Sequence, residues 1–184
     1  DSSYTYQNDM NGDGNSADLL YVPRNQSEII FVNQTANPSQ GIVAYTAQQQ
    51  ADAFELFIQN SSLKNRRGTY VNRNEALYPW LHNVNLQLQQ DFNFNVKGKK
   101  QTIRLQADVL NFTNMLNKNW GVRYLNYTGG TGNVSPLIFD SVDPTTGAPR
   151  YRLQQAGGRL PTTPFQLNRS VTSVWGAQIG IRYI

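Results

Sequence analysis

Residues His82–Val96 read HNVNLQLQQDFNFNV. Val84, Leu86, Leu88, Phe92, Phe94 and Val96 share one parity; Asn83, Asn85, Gln87, Gln89, Asp91, Asn93 and Asn95 share the other. Successive side chains of an extended chain point to opposite sides, so this stretch is a ribbon with one greasy face and one face of amides and a carboxylate. Two architectures use such a ribbon. A water-borne antiparallel sheet packs the apolar face on a core and wets the other. A membrane barrel turns the apolar face to lipid and the polar face to its lumen.

Composition leaves both open but removes other classes. Hydrophobic residues make up 39% of the 184, and the mean hydropathy is −0.55. No run approaches the roughly 18 apolar residues of a spanning helix. Barrel strands escape that test because only every second residue is apolar. Charged residues are 15%, below the roughly 25% of ordinary domains, and Asn, Gln, Ser, Thr and Tyr take their place. That exchange suits a surface that is wet without being strongly charged. The net charge is +4, but Lys and Arg are scattered, without a basic stripe interleaved with aromatics, so nucleic acid is not an expected partner. The lack of cysteine excludes a disulfide framework. The opening residues, DSSYTYQND, lack the apolar segment of a leader, so the expectation is a mature chain or one that begins partway along a longer protein.

Connection lengths separate the two architectures. The sequence predicts strands over 2–7, 82–96, 102–110 and 174–184, the second and third joined by the tight turn KGKKQ. About seventy residues separate the first two strands and about sixty the last two, so 8–80 and 111–172 read as long loops. The former carries a predicted helix over 47–60, with Phe54, Phe57 and Ile58 at helical spacing. A small hairpin is expected within LIFDSVDPTTGAPRYRLQQ, turning at 144–147. Short turns alternating with very long loops are the habit of outer-membrane barrels, and strands of roughly 9–11 residues span tilted. Aromatics near strand ends (Tyr78, Trp80, Trp175, Tyr183) stand where interfacial girdles belong. On this reading Val84, Leu86, Leu88, Phe92, Phe94, Ile103, Leu105, Val109, Trp175, Ile179, Ile181 and Tyr183 face lipid. Asn85, Gln87, Gln89, Asp91, Arg104, Gln106, Asp108, Gln178 and Arg182 face the lumen, where Asp91, Arg104 and Asp108 are placed to pair.

Local chemistry is sparse. Asp9, Asn11, Asp13 and Gly14 match the opening of a calcium loop, with oxygen ligands at alternate positions and a glycine for the sharp turn. Leu20 stands where the closing bidentate Glu belongs, leaving Asp18 or the carbonyl of Asn15 as substitutes; an Asp/Asn/Gly turn without metal fits equally. Arg73, Asn74, Tyr78 and Trp80 mark re-entry into the barrel wall, as a rim or a ligand mouth. Asn111, Asn114 and Asn117 read as loop-base amides. With His82 as the single histidine, no cysteine, no Gly-x-Ser-x-Gly elbow, and a Gly129–Gly132 run preceding neither Lys-Ser/Thr nor a helix, no enzyme is expected.

Three patches, YTYQNDMNGDGNSADLLYVP from Tyr4, RGTYVNRNEALYPW from Arg67 and DVLNFTNMLNKNWG from Asp108, together with the final SVWGAQIGIRYI, resemble the last part of TonB-dependent outer-membrane receptors. The nearest resemblance is to Bacteroidota-type, Oar-like members with a carboxypeptidase-regulatory-like domain. It implies an all-β chain supplying about four C-terminal strands of a plugged, 22-stranded antiparallel transmembrane barrel with long extracellular loops, one carrying a short helix. The family normally closes on an aromatic, so one further residue after Ile184 is expected. The resemblance implies capture and import of a substrate in the outer membrane of a Gram-negative cell, with the loops outside and the C-terminus periplasmic. The partners implied are the remainder of the barrel and its plug, the TonB complex acting through that remainder, lipid, and a surface lipoprotein; no cofactor is required beyond the candidate calcium ion. Two alternatives stand beside it: a surface interaction or assembly protein anchored by a barrel, and a soluble calcium-binding β-domain that binds glycans.

Overall fold

The computed structural model describes residues 2–184, of which strands hold 37%. In chain order the elements are β1 (Tyr4–Tyr6), β2 (Tyr21–Val22), β3 (Ile30–Phe31), α1 (Ala47–Gln59), β4 (Thr69–Tyr70), β5 (Leu86–Val96), β6 (Lys99–Leu110), α2 (Phe112–Leu116), β7 (Tyr124–Asn126), β8 (Val134–Val142), β9 (Pro149–Leu153), β10 (Phe165–Leu167) and β11 (Gly176–Tyr183). They fall into two compact units: residues up to Tyr78 with Leu125–Gln166, and Pro79–Tyr124 with Leu167–Ile184.

The first unit holds the hydrophobic core. Its sheet runs β1-β8-β9-β3, parallel at both outer pairs and antiparallel in the middle. Pro136, which has no N–H to give a ladder, stands in the interior strand β8, and the β1–β8 register shifts between Tyr4 and Tyr6 around it. Helix α1 begins at Thr46, whose hydroxyl accepts from Gln49 N–H while the Gln49 side chain accepts from the Thr46 N–H, a reciprocal cap. Its buried face is Phe54, Phe57 and Ile58, with Phe54 edge-on to Phe31 at 5.9 Å and Phe57 edge-on to Tyr127 at 5.9 Å. Buried Gln50 ties helix to sheet: its Nε2 donates to the Val32 carbonyl (2.6 Å) and its Oε1 accepts from Leu153 N–H (3.0 Å). The predicted hairpin is formed by β8 and β9. At its turn Asp143 accepts from the N–H groups of Thr145 and Thr146 and pairs with Arg150.

The second unit is an open antiparallel sheet of order β11-β6-β5. β5 and β6 are joined by the two-residue turn Lys97–Gly98, both with φ near +50 to +77°, the left-handed pair that matches the twist of a hairpin. Three connections leave this sheet from its Leu86–Leu110–Gly176 end, at 79–85, 111–124 and 167–175.

Several expectations change in this fold. Residues 2–7 are not a wall strand: Tyr4–Tyr6 is short, buried and paired in parallel with β8 inside the first unit. Three strands, not about four, make the amphipathic sheet. Their limits also shift, to Leu86, Lys99 and Gly176, because pairing across the tight turn draws Lys99–Gln101 into β6 while 82–85 stays outside the ladder. The spans 8–80 and 111–172 are not simply loops. Most of their length is packed structure, held by contacts distant in sequence such as Phe57 edge-on to Tyr127 at 5.9 Å. Among the described residues no closed barrel is seen.

Candidate functional site

The three-stranded sheet sorts its side chains by register. Leu86 pairs with Val109 and Val109 with Ala177; Leu88, Ala107 and Ile179 form the next row; then Gln90, Leu105 and Ile181; then Phe92, Ile103 and Tyr183. Residues directly opposite in an antiparallel pair share a face, so one side of the sheet is a block of aliphatic and aromatic groups broken by Gln90 and, near the Lys97–Gly98 turn, by Gln101 opposite Phe94 and Lys99 opposite Val96. Among the described residues no second layer covers it. Leu88 is 72%, Ile179 83% and Ile181 75% exposed; Val84, Leu86, Phe92, Phe94 and Leu105 are exposed, and Ile103 and Val109 half-buried. Trp175, also exposed, stands one residue before β11, its backbone N–H donating to Asn114 Oδ1 at 3.2 Å. The Tyr183 hydroxyl donates to Gln101 Oε1.

The opposite face carries the polar rows Gln87–Asp108–Gln178, Gln89–Gln106–Gly180 and Asp91–Arg104–Arg182. Arg104 grips Asp91 through two parallel bonds, Nε to Oδ1 at 2.7 Å and Nη2 to Oδ2 at 2.8 Å, and Gln106 donates to Asp108 at 2.7 Å. Thus two of the three charges placed to pair, Asp91 and Arg104, do so directly, and Asp108 is held by an amide. The two outer strand edges, of β5 and of β11, carry no ladder among the described residues.

Asparagines organise the end of the sheet that the connections leave. Asn85 accepts from Asn111 N–H at 2.8 Å. Asn111, itself left-handed at φ 52°, donates to the carbonyls of Gly121 (2.9 Å) and Ser173 (3.1 Å). Asn114 donates to Lys118 and Trp120 carbonyls, and Asn117 accepts from Asn119 N–H.

The four rim residues are divided between the two units. Asn74 turns the chain at φ 60° and donates its N–H to Ser3, Arg73 is exposed, and Tyr78 packs on Phe165 at 4.4 Å. Trp80 belongs to the other unit and is 88% exposed.

In the Asp9–Asp18 loop the side-chain oxygens satisfy backbone. Asp9 accepts from Gly12 and Gly14 N–H at 2.6 and 2.7 Å, Asp13 from Asn15 at 2.8 Å, Asn15 from Ala17 at 3.2 Å, and Asp18 from Met10 at 2.5 Å and from the Asn11 amide at 2.8 Å. The N–H of Gly14 and then that of Gly12 hold the Asp9 carboxyl below its ordinary pKa. Among the described residues no group of three or more His, Cys, Asp or Glu is arranged for a metal ion.

Sequence reading missed a cleft of about 230 Å³ in the first unit, lined by Tyr6, Tyr21, Tyr70 and Tyr151 with Glu28 and Pro149. The four tyrosines lie far apart in the chain, so only their number hinted at it.

No protein-family model, curated protein or solved structure matches the chain. No helix of the described residues is long and apolar enough to cross a membrane.

Proposed function

We propose that this chain contributes wall strands and an external capture region to a TonB-dependent outer-membrane transporter. The observation that carries the reading is the uncovered apolar face of β5, β6 and β11 set back to back with a paired polar face. In water such a block of exposed Leu, Ile and Phe is an association hazard; against acyl chains it is the normal outer surface of a barrel. The dimensions support it. From Leu86 to Val96 is ten residue steps, about 33 Å along the strand and about 23 Å of membrane depth at a tilt near 45°, close to the ~25 Å apolar band of such barrels. The open edges of β5 and β11 are not tolerated in lipid, so neighbouring strands from the remainder of the barrel complete the ladder on both sides.

In this scheme the polar face lines the lumen, the Asp91–Arg104 pair locks neighbouring wall strands together, and the first unit belongs to the extracellular side, where a substrate is captured before plug movement driven through TonB. The chain performs no catalysis of its own. Calcium, on the Asp9, Asn11, Asp13 and Asp18 oxygens, would brace one external loop.

The chain has no native cysteine, which makes labelling clean. In outer-membrane vesicles of the host cell, a fluorophore on Ile179→Cys or Ile181→Cys is expected to be quenched by spin-labelled lipid, and one on Gln178→Cys by an aqueous quencher. Equal aqueous quenching on both parities would dismiss the membrane wall. Import that persists after removal of the TonB-contact segment of the intact protein would favour the anchored assembly protein instead.

A further inference from the structure

The tyrosine cleft belongs wholly to the first unit, and its reading does not depend on where the sheet resides. Tyr6 and Tyr151, both buried, stack at 5.6 Å with planes 20° apart; Tyr21 and Tyr70 meet edge-on at 5.3 Å and 61°. One pair is thus nearly parallel and the other steeply crossed, and all four rings line the same void. Tyr70 is 65% exposed, which leaves the cleft open on one side. Glu28 closes the polar margin. Its Oε2 accepts from the Tyr21 hydroxyl at 3.2 Å and from Arg24 N–H at 2.8 Å, and its Oε1 forms an ion pair with Arg24 Nε at 3.7 Å, the Arg24 side chain being 72% exposed. Burial holds the Tyr6 and Tyr151 hydroxyls above the ordinary tyrosine range, so both rings are neutral at any physiological pH.

We propose that this cleft is an aromatic cage for a quaternary ammonium group. Rings present a negative face, and a cation within about 6 Å of several centroids is held without hydrogen bonds. A primary ammonium brings three donors that need acceptors in exchange for water; the cleft offers the tyrosine hydroxyl oxygens and one carboxylate already engaged by Tyr21 and Arg24. A trimethylammonium group brings no donor and loses less on entering. Anions are opposed by Glu28. At about 230 Å³ the void lies below the range that houses drug-sized ligands, so it takes a headgroup rather than a whole oligomer.

The test uses the full chain in a non-ionic polyoxyethylene detergent, with saturation-transfer NMR and calorimetry against choline, glycine betaine and a short-chain phosphatidylcholine below its micelle concentration. Binding of any of the three supports the cage, and the tightest tells whether the group arrives free or on a lipid. Tyr70→Ala should weaken binding about tenfold and Tyr70→Phe should leave it nearly unchanged, since the ring and not the hydroxyl is used. Glu28→Gln should weaken it severalfold. The neutral isostere 3,3-dimethyl-1-butanol should bind at least about tenfold worse than choline. Equal binding of that alcohol, undiminished choline binding in a folded Tyr70→Ala, or displacement of nothing but methyl glucoside or a proline-rich peptide from the cleft would overturn the proposal.

Discussion

Replacing Ile181 by Arg tests the membrane face most directly. Ile181 lies in the row Gln90–Leu105–Ile181, beside the midpoint of the ten-step band from Leu86 to Val96. Arg near the midplane of a barrel's lipid face costs about 2–4 kcal/mol. The same change at a residue 75% exposed to water alters stability by no more than about 0.5 kcal/mol. Gln178→Arg, on the opposite face of the same strand, supplies the control and is expected to stay within about 0.5 kcal/mol on either account. Urea unfolding of the assembled barrel in lipid vesicles, followed by tryptophan emission and by heat-modifiable gel mobility, reads both. A loss of at least about 2 kcal/mol for Ile181→Arg against a silent Gln178→Arg is expected. Two indistinguishable variants would refute the reasoning, because register alone distinguishes them.

Gln50→Leu in α1 should destabilise the first unit by about 2–4 kcal/mol in a denaturant titration, since it strands the Leu153 N–H and the Val32 carbonyl in a buried place. Gly121→Ala should cost about 2–4 kcal/mol and lower assembled protein: residue 121 sits at φ +62°, and an added Cβ would lie 1.9 Å from Asn111 Oδ1. The N–H groups of Thr146 and Thr145, with Arg150, hold the Asp143 carboxyl well below the usual range. Its folded pKa is depressed, so its contribution is complete above the unfolded value near 3.9 and fades as the pH falls below that; melting curves of Asp143→Asn should lose that part of the acid dependence. Adding calcium to about 10⁻³ M after chelation should raise the melting midpoint, and Asp9→Ala should abolish the rise; an unchanged midpoint takes calcium out of the account.

Period-2 patterning made the amphipathic sheet legible before any coordinates: parity in 82–96, 102–110 and 174–184 assigns every side chain to a face, and pairing cannot move it without a one-residue slip. Helix α1 was equally plain, because Phe54, Phe57 and Ile58 carry its period. Such information is local, spelled within a few residues. The amide nodes at Asn111, Asn114 and Asn117 were readable for the same reason, although their partners, Gly121 and Ser173 among them, were not.

What the tertiary structure alone decided lies in contacts between distant segments. Tyr4–Tyr6 alternates like a wall strand, yet it pairs in parallel with β8, some 130 residues away, and carries no mark of that choice. The spans between strands looked like loops because all their strands but β8 are two to five residues long, too short for a period to emerge. The tyrosine cleft gathers residues 6, 21, 70 and 151, and no spacing rule links them. Side-chain alternation is a property of one segment, whereas the choice of partner is set by the total burial reached when several segments meet, and that sum is written in no one of them.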